Sequence, residues 1–298
     1  MGKTTWNFFD EKDNVYTNVM PPKNGSPHLF ERTSLTNMLH LMSEWPKFGQ
    51  YKYFLIDSRN PHRFELDKNS VVFYLSNEDH AIPEYLKEAR VVFTSYYPYS
   101  PPFDHIHSIP LGVNGAVPYV EGKPYHEREV DVFFSGNLNK QRVPFFLYTS
   151  LLKMRNQIKR VLGKKPLNLF IRFTRSFASG LSPEQYGKML ANTKIALIPS
   201  GYDSSVSFRF FEAARAGCIL ITCRQPDVWH FRPFPGYYVT SWSELGKIVR
   251  ELEKDPDKAS RIQQEMLQYY EDYCSERSVA NYVIKAIEST LHKHAYAE

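Results

Sequence analysis

Short apolar runs, rich in β-branched and aromatic residues, alternate along the chain with segments whose apolar positions recur at helical spacing. In the first half the runs at 53–57, 71–76, 91–94 and 107–111 carry almost no charge and predict strands buried on both faces, as in a parallel sheet. Helices are expected over 35–45 and 82–89. Gly112 to Gly115 and a polar stretch over 119–129 interrupt the rhythm, and an apolar run at 130–135 opens a second series. That series predicts a helix over 142–160, a strand at 167–172, a helix at 183–191, a strand at 195–199, a helix ended by Gly217, and a strand at 218–222. After Thr240 the pattern is helical, over 243–250, 257–273 and 275–291. Alternation of this kind implies an α/β architecture. The interruption suggests two domains, 1–128 and 129–298.

The segment 195–222 is the richest in chemistry. Between two buried strands lie Tyr202, Asp203, Ser204, Ser205 and Ser207, then a helix bearing Arg209 and Glu212. The serines can cap the helix start, where free backbone N–H groups and the dipole favour an anion such as a diphosphate. Arg209 and Glu212 are three apart and share one helix face. A cation for phosphate beside a carboxylate for ribose hydroxyls suits a nucleotide-sugar. An ordinary cap followed by a surface ion pair fits the same residues.

The pattern Ser207-Phe208-Arg209-Phe210-Phe211-Glu212-Ala213, followed by Gly217-Cys218-Ile219, resembles the exostosin-like glycosyltransferases, family 47 of the GT-B class. Phe133-Phe134-Ser135-Gly136-Asn137 followed by Arg142 is similar to the opening of that family's donor domain. The resemblance spans roughly 131–241. It departs from the family where Leu220 stands in place of a common proline, and in a short N-terminal half. It implies a GT-B fold of two Rossmann-like domains facing a cleft, the first binding acceptor, with terminal helices that return to it. It also implies transfer of a sugar from a UDP-sugar to a glycan hydroxyl with inversion to a β-linkage. UDP-xylose is the first donor to test. On the donor side its motifs select Ser135, Gly136, Arg142, Ser207, Arg209 and Glu212, to which the loop adds Tyr202, Ser204 and Ser205, and a strand end adds Arg172. Arg142 and Arg209 are assigned to the diphosphate, whose charge must be stabilised as it leaves. A soluble microbial or viral relative is expected, since no secretory anchor precedes the domain.

Ligands of open α/β sheets bind outside the carboxyl ends of the strands. In the first half that rule selects the loops carrying Asp57, Arg59, Asn77 to His80, Tyr96 to Tyr99, and Asn114. Inverting transfer needs a base for the acceptor proton. Asp79 is the first choice and Asp57 the second; Arg59, His80, Tyr97 and Asn114 are acceptor-binding candidates. Asp79 as a helix cap is the plain structural alternative. His105 and His107 alternate in a way that suits a metal, but a lone His-x-His is common, and no metal or cofactor is expected. The only aspartate pair, Asp255 and Asp257, lies far in sequence from the donor corner.

Composition changes this picture little. The chain has 298 residues, 42% hydrophobic and 15% aromatic, which excludes disorder. A net charge of +5 includes a cluster of Lys153, Arg155, Lys159, Arg160, Lys164 and Lys165. It reads as a solvated helix face followed by a basic loop, or as weak contact with a membrane surface; no nucleic-acid motif accompanies it. Three cysteines without metal spacing give no disulfide framework. Asn24-Gly25-Ser26 reads as a turn. With no apolar run near the ~20 residues of a span and no signal-peptide core at the start, a cytoplasmic, soluble protein is expected, in the host cytoplasm if viral. A catalytically inactive nucleotide- or carbohydrate-binding module of the same fold is the alternative.

Overall fold

Among the described residues every strand pairs in parallel, in two sheets of five. The computed structural model describes residues 11–18, 30–60, 62–175, 179–201 and 204–295; Asn24 to Ser26, Tyr202 and Asp203 lie outside them. The chain divides into two compact units, Met1–Gly112 with Ser275–Glu298, and Val113–Cys274.

The first unit holds β1 (Val15–Thr17), α1 (Phe30–Ser43), β2 (Lys52–Asp57), β3 (Ser70–Leu75), β4 (Val91–Thr94) and β5 (Ile106–Ser108), with the strands in sequential order. Alternate residues serve opposite faces, because successive side chains of a strand point opposite ways. Tyr53, Leu55, Val71, Phe73, Val91 and Phe93 form one core, while Phe54, Ile56, Val72, Tyr74 and Val92 form the other with Leu86. The helix expected over 82–89 is a 3-10 turn of five residues, Glu84–Glu88. Pro83 immediately before it is extended, and its last N–H groups bond three residues back rather than four.

The second unit contains β6 (Val130–Asn137), α2 (Val143–Val161), β7 (Leu169–Thr174), α3 (Pro183–Ala191), β8 (Thr193–Ile198), α4 (Phe208–Arg215), β9 (Ile219–Cys223), β10 (Tyr237–Val239), α5 (Leu245–Lys254) and α6 (Pro256–Tyr273). Its sheet order is β10-β9-β8-β6-β7. Val132, Phe134, Ile195, Leu197, Ile219 and Ile221 point to the face covered by α2 and α5, while Phe133 packs at a tilt against Tyr186 of α3 on the other. The chain leaves β6 toward β7 and returns past it to β8. The sheet is thus doubly wound, with a topological switch between β6 and β8.

The units divide after Gly112, earlier than the 128/129 boundary read from the sequence. Val117 and Tyr125 are buried, Tyr125 within the second unit's core, and the 2%-exposed Arg128 donates to the carbonyls of Lys123, Thr193 and Ala216. Sequence polarity over 119–129 marks a connection, but its anchoring is long-range. The last helix, α7 (Glu276–Ala295), belongs to the first unit, where Val279, Val283 and Ile287 pack with Met38, Leu39 and Met42 of α1.

Candidate functional site

In the second unit the carboxyl edge of the sheet is stitched across the switch point. Asn139 caps the turn after β6 by accepting from the Arg142 N–H, and its amide donates to the Gly201 carbonyl, 3.2 Å away beyond β8. Arg142 is buried and faces the same gap. Its Nη1 donates to the carbonyl and side chain of Asn137, both at 2.8 Å, and its Nε to the Ser200 carbonyl at 2.8 Å. Arg142 therefore braces the two loops that frame the switch point. Asn137, unremarked in the sequence reading apart from its place in the motif, anchors that brace.

Arg209 opens onto this edge from the first turn of α4. Its Nε donates to the Ser135 carbonyl at 3.2 Å, and its Nη atoms have no hydrogen-bond partner among the described residues. Gly136 makes room for it: a Cβ there would lie 3.2 Å from Arg209 Nη2 and 3.1 Å from the Phe134 ring. Ser207 is the N-cap residue, yet its buried Oγ makes no cap hydrogen bond and has no partner among the described residues. A half-satisfied guanidinium and an unpaired hydroxyl at a helix start form a donor set suited to an anion. Ser204 is buried with its Oγ accepting from Val206 N–H, and the Ser205 carbonyl accepts from Gln225. These two serines shape the loop. Arg172 of β7 pairs in register with Ser135, and its side chain is exposed.

Glu212, one turn further along α4, is 4% exposed. Its Oε1 accepts from the Asn114 N–H at 3.4 Å, and the Tyr186 hydroxyl bonds its carboxylate. Burial raises its pKa above the usual carboxylate range, opposed by Arg209, the Asn114 N–H, Arg215 and Tyr186. Tyr186 is pushed well above its ordinary value, first by burial and then by the charge of Glu212. Asn114, expected on the acceptor side, thus lies in the second unit as a backbone donor to Glu212. Tyr186 and Asn114 reach Glu212 across long sequence separations, and no local motif announces that contact.

The end of α4 explains the glycine that follows. Gly217 takes φ +67°, its N–H bonds the Ala214 carbonyl, and Cys218 N–H bonds Ala213, a closing pair that uses the orphan carbonyls of the last turn. Arg128 fills the remaining acceptor, Ala216 O, at 2.7 Å. A cation at a helix C-terminus is favoured by the dipole, although burial lowers its pKa.

In the first unit the loops after β3 and β4 are joined. Thr94 Oγ1 donates to Asn77 Oδ1 at 2.8 Å, and Asn77 donates to the Tyr96 carbonyl at 3.2 Å. His80, held at φ +60°, places Nδ1 2.9 Å from the Tyr97 carbonyl, while Nε2 is buried and unpartnered. Since a carbonyl only accepts, Nδ1 carries the proton and Nε2 the lone pair. Asp79 is exposed, and its Oδ1 accepts from Ala81 N–H at 3.1 Å, closing a turn rather than capping the 3-10 helix. Asp57 is buried at the end of β2 and held bidentately by Arg59, with Nη2 to Oδ2 at 2.7 Å and Nε to Oδ1 at 2.9 Å. Asn18 Oδ1 accepts from the Asp57 N–H. His105 stacks on Phe103 and His107 meets the Tyr282 hydroxyl at 3.1 Å. Among the described residues no three His, Cys, Asp or Glu gather as metal ligands.

Residues 148–284 match the model of a family described as glycosyl transferase-like, a little under half of the chain. No curated protein matches it. Among solved structures the chain is similar to sucrose-phosphate synthase from Thermosynechococcus elongatus, at 12% identity over 94% of this chain and 82% of that one, with a TM-score of 0.49. It is also similar to HepE from Anabaena, solved with UDP-glucose, at 10% identity over 92% and 99%, TM-score 0.49. A glycosyltransferase from Rickettsia africae matches at 12% identity over 91% and 84%, TM-score 0.48.

Proposed function

We propose that the chain is a glycosyltransferase that moves a sugar from a UDP-sugar to a hydroxyl of a glycan, with inversion to a β-linkage and without a metal. The observation that carries the reading is α4 itself: Arg209 Nη atoms and a Ser207 Oγ without hydrogen-bond partners among the described residues, and a buried Glu212 carboxylate, all set within about two turns at the carboxyl edge of a doubly wound sheet. The glycosyl transferase-like match over 148–284 contains all three residues. Arg209 and the N–H groups of α4 hold the diphosphate, and Glu212 takes the ribose hydroxyls. Arg142 acts by holding the loops in place, since its guanidinium is already engaged. The exostosin-like motif supports uridine as the base, with UDP-xylose the first sugar to try.

Catalysis follows from where charge develops. As the bond from the anomeric carbon to the diphosphate breaks, the leaving oxygens gain charge, which Arg209 stabilises. The acceptor hydroxyl attacks from the opposite face and gives its proton to a base. Asp79 fills that role as an exposed carboxylate on the loop after β3. A second reading rests on a specific observation: with Nδ1 donating to the Tyr97 carbonyl, the neutral His80 ring keeps its lone pair on Nε2, which has no hydrogen-bond partner among the described residues.

Turnover of a UDP-sugar panel with Asp79→Asn and His80→Gln separates the two. The true base variant loses about 100-fold or more in transfer while keeping UDP affinity. Full turnover in both variants refutes both assignments. UDP binding without hydrolysis or transfer in the unaltered protein would mark an inactive binding module instead.

A further inference from the structure

Helix α2 carries two apolar faces, and the sheet needs only one. Phe145, Thr149 and Leu152 are buried, with the Phe145 ring 4.7 Å from Phe134 and 4.5 Å from Trp242. Asn156 and Lys153 fasten the same side to the carbonyls of Leu167 and Ile171. On the outside, Leu147, Leu151, Met154, Ile158, Val161 and Leu162 are between 42% and 78% exposed. Their spacing of three and four residues lines them along one stripe of a helix roughly 28 Å long. Nothing in packing the second unit requires that stripe, and an apolar surface of this extent on a soluble face marks a contact.

The charge around the stripe selects its partner. From Val132 to Pro183 the sequence has ten lysines and arginines and no aspartate or glutamate. The rest of the chain carries 27 of the 37 basic residues against all 32 acidic ones. Lys140, Arg155, Arg160, Lys164 and Lys165 are exposed at the ends and flank of α2 and form no salt bridge among the described residues. A second copy docking by the same face would bring two cation-bearing helices together with no acidic residue of α2 on either to offset the charge. Among the described residues no helix is long and apolar enough to cross a membrane. An apolar stripe on a helix that carries cations and no acidic residue, with the neighbouring Glu253 already paired to Lys159, fits the interfacial zone of an anionic bilayer.

We infer that α2 is a docking surface for anionic lipid: the stripe from Leu147 to Leu162 enters the boundary between headgroups and acyl chains, and Arg155, Arg160, Lys164 and Lys165 meet the lipid phosphates. Neither Ser207, Arg209 nor Glu212 enters the inference, so it stands whether or not the proposed transfer is correct.

The test is co-flotation of the full chain with vesicles of phosphatidylglycerol mixed into phosphatidylcholine, and of phosphatidylcholine alone. Binding is expected only to the anionic vesicles, weakening steeply between about 0.05 and 0.5 M NaCl as the charges are screened. Leu151→Glu with Ile158→Glu is expected to reduce binding at least tenfold, and Lys164→Glu with Lys165→Glu by a similar factor, each with an unchanged melting temperature because the altered side chains face out. A Leu151→Trp variant, which retains the apolar face, is expected to shift its emission to the blue on anionic vesicles. Equal binding to neutral vesicles, binding indifferent to both variant pairs, or no vesicle binding would overturn the inference. A dimer in solution that Leu151→Glu with Ile158→Glu dissociates would assign the stripe to a second copy instead.

Discussion

Replacing Arg128 by methionine should strongly destabilise the second unit, although Arg128 touches no candidate ligand residue. The side chain is 2% exposed and faces no carboxylate; its charge is met by the carbonyls of Lys123, Thr193 and Ala216. These belong to the connection before β6, the start of β8 and the end of α4. Two glycines accommodate it: a Cβ on Gly122 would lie 2.4 Å from Arg128 Nη2, and one on Gly217 3.3 Å. Methionine fills much of the volume but leaves the Thr193 and Ala216 carbonyls without that donor, at about 1–3 kcal/mol each, while the Lys123 carbonyl keeps the Gln263 amide at 2.9 Å. The desolvation cost of the buried guanidinium is recovered, which cancels part of that loss, so a net loss of about 2–4 kcal/mol is expected. For a unit of this size, ~2–4 °C per kcal/mol gives a fall of roughly 4–16 °C in its melting temperature. Differential scanning calorimetry would resolve it, and Arg128→Lys should recover only part, since one ammonium cannot span three carbonyls in the guanidinium's plane. A melting temperature within about 2 °C of the unaltered protein in Arg128→Met would refute the reasoning.

Gly217→Ala should cost about 1–3 kcal/mol, because alanine is strained at φ +67° and its Cβ would meet Leu267 at 2.9 Å; chemical denaturation measures it, and a neutral result would contradict the closing turn described for α4. Glu212→Gln should raise stability at neutral pH while weakening UDP. The folded pKa of Glu212 lies above its unfolded value near ~4.3, so over that interval the folded state binds more protons than the unfolded one. Stability of the unaltered protein relative to Glu212→Gln therefore falls as pH rises from about 4.3 through the folded pKa, then levels off; a difference that does not change with pH would show the carboxyl to be unperturbed. Arg209→Ala should weaken UDP binding by about 10–100-fold through loss of a charged hydrogen bond to the diphosphate, read by calorimetry, with little change in melting temperature.

The elements legible in the sequence are those with strong local signals. The helix at 183–191 has Pro183 at its first position and a Ser182–Gln185 capping box, and the structure gives α3 those bounds. The strands around 195–199 and 218–222 were visible as short uncharged runs, and their edges differ from β8 and β9 by one or two residues. β1 and β10 have three residues each, too few for any period to register, and they exist because a longer neighbour offers a free edge. At the site, Arg209 and Glu212 could be named from their spacing on one helix. What surrounds them could not: Asn114 and Tyr186 on Glu212, the Asn139 to Gly201 stitch, and Arg128 under α4 all join residues far apart in the chain. Arg142 shows the opposite limit. Its place in the motif was readable, but its use as a brace depends on carbonyls that only the folded loops bring to it.

The central claim is that α4 and the edge of the second sheet hold a nucleoside diphosphate. Isothermal calorimetry of the full chain with UDP, GDP and CDP, each without and with Mg²⁺, tests it most directly, with Glu212→Ala and Arg209→Ala measured alongside. The account predicts selective binding of UDP that does not require Mg²⁺, weakened about 10-fold or more by either variant. Equal affinity of the unaltered protein and both variants, or no heat with any nucleotide, would contradict it.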